Sequence, residues 1–295
     1  MTLRTAAVPL EGGTFHEVHA WRSRRPVGTL AAVAVWTVLA LAFVFPLAIL
    51  ATRAGGASAD DLRSIFGSPR LLAAFRTTFL TSIAAATADV ALALPVAWVL
   101  ARYDFRGRRV IDALVDLPLA LPTSVAGLTL AAITSERGPL GALLAAWGLR
   151  VAYAPLGLVV ALAFVGLPYV VRAIEPVVQV LDEGVLEAAA SLGASRFDRA
   201  TRIVLPALLP AVLSGFGAAL ARSLGEYGSV VFVGGNLPFK TEVVSLFIVA
   251  RLEEHEPVAA AVIAVLLVAS SMALLALVSV AERRIARTLV PAERV

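Results

Sequence analysis

The chain has 295 residues, of which 59% are hydrophobic and 16% are charged, and its formal net charge is +4. Its mean hydropathy is +0.87, whereas soluble domains carry about one-quarter charged residues. This composition excludes an ordinary soluble fold and predicts an all-α, polytopic membrane protein. The absence of cysteine excludes disulfides and thiolate metal sites.

Residues 1–25 are charged throughout and are expected to form a loose cytoplasmic arm. They contain no short apolar core followed by a cleavage site, so we do not interpret them as a signal peptide. His16-Glu17-Val18-His19 is one residue short of the zinc-binding HExxH pattern and is interpreted as solvated sequence.

Windows almost free of charge predict the membrane spans, because an ionised side chain at the bilayer centre costs about 2.5–3.5 kcal/mol. Six windows suggest about six transmembrane helices within a permease domain at 26–284, followed by a cytoplasmic tail at 285–295. Asp89 is the single charge inside them, near the middle of the second window. We expect it to be protonated or paired, away from any anion pathway. The windows are 26–52, 77–101, 117–135, 151–171, 203–221 and 257–281.

Residues 187–206 form a short polar segment between two apolar windows. On a continuous helix, a polar stripe would be formed by Glu187, Ser191 and Ser195. An apolar stripe would be formed by Leu186, Ala190 and Phe197. Gly193 permits a tight turn, and Pro206 suits the first turn of the following helix. This composition favours a mechanical contact with another protein.

The region between the last two windows, 222–256, contains two apolar pieces that are each too short to cross a membrane, so a re-entrant pair and a seventh crossing both stay open. Its 234–241 run has the frame of a phosphate-binding loop, but Phe239 replaces the required glycine. We therefore expect no nucleotide-binding motif in this chain. The acidic cluster at 253–256 is interpreted as a solvent-exposed loop.

Basic residues predict the orientation of the chain. The two termini and the loops at 102–109 and 172–202 carry 16 of the 25 Lys and Arg residues. Since positive flanks stay in the cytoplasm, both termini and the 187–206 segment should lie there.

The 187–206 segment resembles the loop shared by permease subunits of bacterial ABC importers. It carries Glu-Ala-Ala, then Gly after three residues, then Ile-x-Leu-Pro after nine more. The resemblance assigns ATPase coupling to seven residues: Glu187, Ala188, Ala189, Gly193, Ile203, Leu205 and Pro206.

Further runs resemble the sulfate/thiosulfate permease subunits called the T component. They are WVLARYDF at 98–105, DALVDLP at 112–118 with Pro122-Thr123, GEYGS at 225–229 and GNLPFKTE at 235–242. Molybdate permeases are similar in the same places but typically carry Phe where this chain has Tyr227. The resemblance covers residues 70–284.

This resemblance implies a type I ABC importer permease fold in a bacterial inner membrane. The implied partners are a second homologous permease, two ATP-binding subunits and a periplasmic sulfate-binding protein, besides membrane lipid; no nucleic acid is expected. The chain itself is expected to bind no cofactor, with ATP used by the partner subunit.

An oxyanion leaving water needs replacement hydrogen bonds. Pro122, Thr123 and Ser124 are one candidate for the pathway, and a merely kinked helix is the alternative. Arg222, Ser223 and Glu226 are another candidate, although a simple Arg222–Glu226 pair one turn apart is favoured. The pathway prediction also includes Tyr227 and Asn236.

Two other functions stay open at this point. One is a molybdate or tungstate ABC permease, and the other is a proton-coupled anion transporter with Asp89 as its proton site. The second leaves the 187–206 segment unexplained. A membrane hydrolase is disfavoured, since the spans carry no nucleophile–base set or metal-ligand spacing.

Overall fold

The structure, a computed structural model, describes residues 26–289, and every regular element in that range is helical. This confirms the predicted all-α class. The described part of the chain forms two compact units, one ending at Leu50 and the other beginning at Ala51. Fourteen helices follow one another: α1 Pro26–Leu39, α2 Phe45–Ala54, α3 Ala59–Phe66, α4 Pro69–Arg102, α5 Arg108–Ala120, α6 Thr123–Thr134, α7 Pro139–Ala145, α8 Pro155–Gln179, α9 Glu183–Ser191, α10 Arg196–Arg199, α11 Leu205–Leu224, α12 Gly228–Gly234, α13 Val244–Glu253 and α14 Pro257–Leu289.

Within residues 26–289, five helical stretches are long and apolar enough to cross a membrane, and a sixth crossing results if α5 and α6 count as one broken span. The prediction of about six spans is therefore confirmed. Neither α12 nor α13, with 7 and 10 residues, passes the same test. Five of the six predicted windows overlap the long stretches: Ala31–Ala54, Pro69–Arg102, Pro155–Gln179, Arg196–Leu224 and Pro257–Arg287.

The expectation of one helix across 117–135 is wrong. The chain turns by 112° between α5 and α6, at Leu121 and Pro122, both of which have extended backbone ψ angles. Proline lacks an N–H and disfavours helical geometry in the residue before it, so Leu121-Pro122 ends one helix and starts another. The break exposes the N-terminus of α6.

Two long helices accommodate an internal proline through a wide π-turn. Ala40–Val44 joins α1 to α2 ahead of Pro46, and Ala200–Val204 joins α10 to α11 ahead of Pro206. In each case the N–H of the residue before the proline donates to a carbonyl five residues earlier. The wider turn takes up the hydrogen bond and the space that a proline ring disrupts.

The main core lies where α4, α8 and α11 pack together. Alanines on α4, among them Ala86, Ala93 and Ala97, are completely buried against branched side chains of α8 such as Val170 and Ile174. Small residues let helix backbones approach closely, which is the usual way membrane helices gain packing energy.

A second core joins the start of α4 to α3, α13 and α14 around Phe247. The helix α3 begins with a capping box in which the Ser58 hydroxyl accepts from the Asp61 N–H and the Asp61 carboxylate accepts from Ser58. Hydrogen bonds from the Ser58 side chain and backbone lower the pKa of Asp61.

Candidate coupling segment and translocation pathway

The coupling segment, residues 187–206, starts within α9 and runs into α11. Asp182 caps α9 by accepting from the Gly184 N–H at 2.8 Å. At the other end the Gly193 N–H donates to Ala190 and the Ala194 N–H donates to Ala189, both at 3.0 Å. This is a Schellman ending, and it requires a left-handed residue at Gly193, whose φ is +87°.

The predicted stripe of Glu187, Ser191 and Ser195 is wrong, because α9 ends at Ser191. Ser195 instead caps α10, where its hydroxyl accepts from the Asp198 N–H at 3.1 Å. Phe197 likewise lies on α10, apart from Leu186 and Ala190 on α9. The left-handed turn at Gly193 separates the two helices, so they do not share one helical face.

The coupling segment exposes large apolar side chains. Leu192 in the turn is 89% exposed and Phe197 is 76% exposed. The seven residues assigned to coupling lie along this segment, as a helix, a turn and a helix start. Glu187, Ala188 and Ala189 are on α9, Gly193 is in the turn, Ile203 is in the wide turn, and Leu205 and Pro206 begin α11.

The broken span brings two helix starts together. A methyl group on Gly228 would lie 2.2 Å from the Thr123 hydroxyl oxygen and 3.1 Å from the Ser124 N atom. A methyl group on Gly127 would lie 2.5 Å from the Ser229 carbonyl oxygen. The predicted pair Thr123 and Ser124 therefore meets the first residues of α12. Gly228 and Ser229 lie in the GEYGS run, but the sequence alone does not identify them as contacts of α6.

Glu226 organises the loop before α12. Its carboxylate pairs with Arg222 at 2.5 Å and accepts from the Ser229 N–H at 3.0 Å and the Ser229 hydroxyl at 3.1 Å. Glu226 itself is 3% exposed. The favoured Arg222–Glu226 pair is thus confirmed, and the Arg222 charge is already matched by a buried carboxylate.

The remaining predicted pathway residues differ in burial and in their position along the chain. The Ser223 hydroxyl is buried without a hydrogen-bond partner in the described range. Tyr227 precedes α12 and is 43% exposed. Asn236 follows the opposite end of α12 with a φ of +49°, and its buried Oδ1 also finds no partner there. The role of these three residues in the pathway stays a prediction.

Asp89 is completely buried where α4 faces α8 and α11. Neither carboxyl oxygen has a hydrogen-bond partner within residues 26–289. The prediction that Asp89 is either protonated or paired therefore loses its second option within the described residues. Burying a charged carboxylate without a partner is costly, so these surroundings favour the neutral acid.

One guanidinium group ties the broken span to α8. Arg172 lies 2.7 Å from Asp112 and 2.6 Å from Asp116 on α5, and 2.7 Å from Glu175 one turn further on α8. The two aspartates belong to the DALVDLP run of the sequence. Their role in this structure is to hold α5.

A protein family described as "Binding-protein-dependent transport system inner membrane component" matches residues 93–287. The chain belongs to this family of multi-pass membrane permeases. It is 41% identical to the sulfate transport system permease protein CysT of Escherichia coli K12, over 85% of this chain and 90% of that protein. It is 39% identical to the protein of the same name from Synechocystis, over 83% of this chain and 86% of that protein.

Solved structures show the same fold at low sequence identity. A chain of a bacterial alginate ABC transporter, crystallised with an alginate pentasaccharide-bound periplasmic protein, superposes with a TM-score of 0.70 at 19% identity. The superposition covers 90% of this chain and 98% of that chain. A chain of an amino acid ABC transporter gives a TM-score of 0.52 at 21% identity, over 77% of this chain and 100% of that one.

Proposed function

We propose that this chain is the transmembrane permease subunit of an ATP-driven importer of sulfate or thiosulfate in a bacterial inner membrane. The observation that carries the proposal is the 41% identity to sulfate permeases along almost their whole length. The chain forms half of the translocation pathway, and a second homologous permease forms the other half. Two ATP-binding subunits and a periplasmic sulfate-binding protein complete the importer.

The coupling segment supports an ATPase partner through its shape and surface. It presents Leu192 and Phe197 to solvent beside a helix whose Ala188 and Ala189 add little bulk. Exposed apolar side chains next to a helix of small residues fit a cleft on another protein. The predicted cytoplasmic position of this segment, with both termini on the same side, gives the ATPase access to it.

The chain is proposed to use its partner's ATP rather than its own. Residues 234–241 follow the helix α12 rather than a strand. The Thr241 hydroxyl donates to the Gly234 carbonyl at 2.6 Å and accepts from the Leu237 N–H at 3.1 Å. A phosphate-binding loop needs that hydroxyl and the neighbouring N–H groups free for a nucleotide and its metal ion.

The anion path is proposed to pass the meeting point of α6 and α12. Thr123 and Ser124 offer hydroxyl and N–H groups at the start of α6, which is where a dehydrated oxyanion gains hydrogen bonds. The N–H and hydroxyl of Ser229, on the α12 side, already donate to Glu226. A molybdate or tungstate permease has the same requirements and is the alternative within this class. A proton-coupled transporter remains the alternative from another class. Its feature is the Asp89 carboxyl, which has no hydrogen-bond partner among the described residues.

The test measures sulfate uptake in cells that express all subunits, with the native chain, Glu187→Ala and Gly193→Asp. We expect each variant to lower uptake by at least about tenfold and to lose the ATPase subunit on pull-down, because each change alters the surface that would bind the ATPase. A tenfold loss corresponds to about 1.4 kcal/mol of binding free energy. Gly148→Asp is the matched control, because Gly148 also has a positive φ, +74°, and open space around it.

Membrane insertion is checked for every variant. Full uptake by both coupling variants would refute the coupling role of the segment. Uptake that stops when the proton gradient is collapsed at constant ATP would favour the proton-coupled alternative. Competition by unlabelled thiosulfate, molybdate and tungstate identifies the anion that is carried.

A further inference from the structure

Arg102, the last residue of α4, contacts the chain just before and at the start of α9. Its Nη1 lies 2.6 Å from the Glu183 carboxylate, and its Nη2 donates to the Leu181 carbonyl at 2.6 Å. These two contacts span 81 and 79 positions of sequence. They therefore join two cytoplasmic loops that the sequence keeps far apart.

The guanidinium is held in place from its own helix as well. It lies over the ring of Trp98, one turn earlier, with its central carbon 5.6 Å from the ring centroid. The Arg102 side chain is 14% exposed, whereas the Glu183 side chain is 71% exposed. An arginine in these surroundings is ordered, and its fork-shaped group can bind a carboxylate and a carbonyl at once.

The bond to the carbonyl matters more than the ion pair. An exposed carboxylate contributes little through a salt bridge, because water screens the charges. A charge-assisted hydrogen bond from a largely buried arginine to a backbone carbonyl is stronger. It also fixes the backbone at the entrance to α9, whatever side chain stands there.

The other end of the contact is a long rigid element. The helix α4 runs without a break from Pro69 to Arg102 and packs in the main core against α8 and α11. Rigid helices can carry coupling between distant sites, and the burial of Ala93 and Ala97 on either side of the internal Pro95 limits bending of α4 at that proline. Displacement at Leu181 would therefore reach the opposite end of α4.

We propose that Arg102 is a positioning residue that fixes the start of α9 to α4, so that movement of the coupling segment is passed to this span. The proposal rests on the proposed function, since it needs an ATPase that displaces the segment. It adds a route for that displacement, from the coupling segment through Leu181 and Arg102 into α4. Arg102 is the residue that joins α4 to the start of α9.

The decisive measurement is the amount of sulfate transported per ATP hydrolysed, in the complete importer reconstituted in vesicles. For Arg102→Ala we expect this ratio to fall about tenfold, the scale at which coupling networks respond to mutation. The ATPase subunits should stay bound and continue to hydrolyse ATP. Arg102→Lys should give an intermediate ratio, because lysine keeps the charge but lacks the fork.

A second variant keeps the test valid if Arg102→Ala fails to fold. Glu183→Arg changes an exposed side chain and places a cation against Arg102, so we expect it to insert normally and to lower the ratio. Arg108→Ala is the control, because it removes an exposed pair with Asp104 from the same loop. That control should transport like the native chain.

The outcomes separate the two proposals. A native complex that imports no sulfate would refute the proposed function itself. A native complex that imports sulfate, with unchanged ratios in Arg102→Ala and Glu183→Arg, would overturn the role of Arg102. Loss of assembled complex at an unchanged ratio would assign Arg102 to structure alone and would overturn it too.

Discussion

Asp89 and Gly166 compete for the same space between α4 and α8. A methyl group on Gly166 would lie 2.2 Å from an Asp89 carboxyl oxygen and 3.3 Å from the Ala219 methyl carbon. No side chain can be added there unless the carboxyl moves, and the close packing around it leaves little freedom to do so. The absence of a side chain at residue 166 is thus tied to the polar group at residue 89.

We expect Gly166→Ala to lower the free energy of unfolding by about 1–3 kcal/mol, the usual cost of overpacking. The double variant with Asp89→Ala should recover part of this loss, because the clashing carboxyl is gone. Thermal unfolding in detergent measures both. The control is Gly217→Ala, where the nearest atom, on Val278, lies at 3.4 Å; equal midpoints for the two glycine variants would contradict the prediction.

Single residues were predictable from the sequence where local geometry decides their role. Gly193 was expected in a tight turn, and it adopts a positive φ. The pairing of Arg222 with Glu226 followed from their spacing of four residues. The roles of Gly166 and Arg102 were not predictable, because their partners lie 77 and 79 or more positions away and, for Arg102, include a backbone carbonyl.

At the scale of elements, charge-free windows locate the membrane crossings but not the helix ends. The second window begins at Thr77, whereas α4 begins eight residues earlier at Pro69, capped by Ser68. The additional turns contain Arg70, which is paired with Glu242. A charge that finds a partner can stand on a helix outside the apolar window, so absence of charge marks the hydrocarbon core alone.

In the broken span, by contrast, the window joins two helices that are separate in the structure. Residues 117–135 carry no charged side chain, and hydropathy alone could not separate two helices that meet at 112°. The signal is Leu121-Pro122, although the sequence suggested either a pathway site or a kinked helix at Pro122. Backbone rules for the residue before proline explain the full break.

The contact between Arg70 and Glu242 is expected to stabilise the start of α4 and the loop before α13. Arg70 contributes Nε and Nη2 at 2.8 and 2.6 Å to the two carboxylate oxygens, and the Glu242 side chain is 1% exposed. Glu242→Ala should lower the free energy of unfolding by about 1–3 kcal/mol, since it leaves the arginine without its partner.

Thermal unfolding of Glu242→Ala in detergent measures this loss. Asp60→Ala is the matched control, because the Asp60–Arg63 pair is 91% and 82% exposed and contributes little. Equal unfolding midpoints for the two variants would show that the buried pair does not stabilise the fold.

At the scale of the whole molecule, the predicted orientation depends on the distribution of basic residues and has a direct test. The native chain has no cysteine, so a single introduced thiol is labelled without background. Leu192 and Trp147 are 89% and 79% exposed and lie on loops that we predict to be on opposite sides.

We expect an impermeant thiol reagent to label Trp147→Cys in right-side-out vesicles and Leu192→Cys only in inside-out vesicles. The positive-inside rule gives the reason, since basic residues concentrate on the side of Leu192. Labelling of permeabilised vesicles controls for reactivity. The reverse pattern would contradict the predicted orientation of both termini and would place the coupling segment out of reach of a cytoplasmic ATPase.

The pair between Arg70 and Glu242 also bears on how the protein is made. The two residues are 172 positions apart, and at synthesis rates of about 5–20 residues per second the carboxylate emerges about 10–30 s after the arginine. During that interval α4 has to enter the membrane with the arginine unmatched. The second crossing of this protein therefore cannot reach its final form until the chain is nearly complete, and arrested synthesis would leave an unfinished early helix.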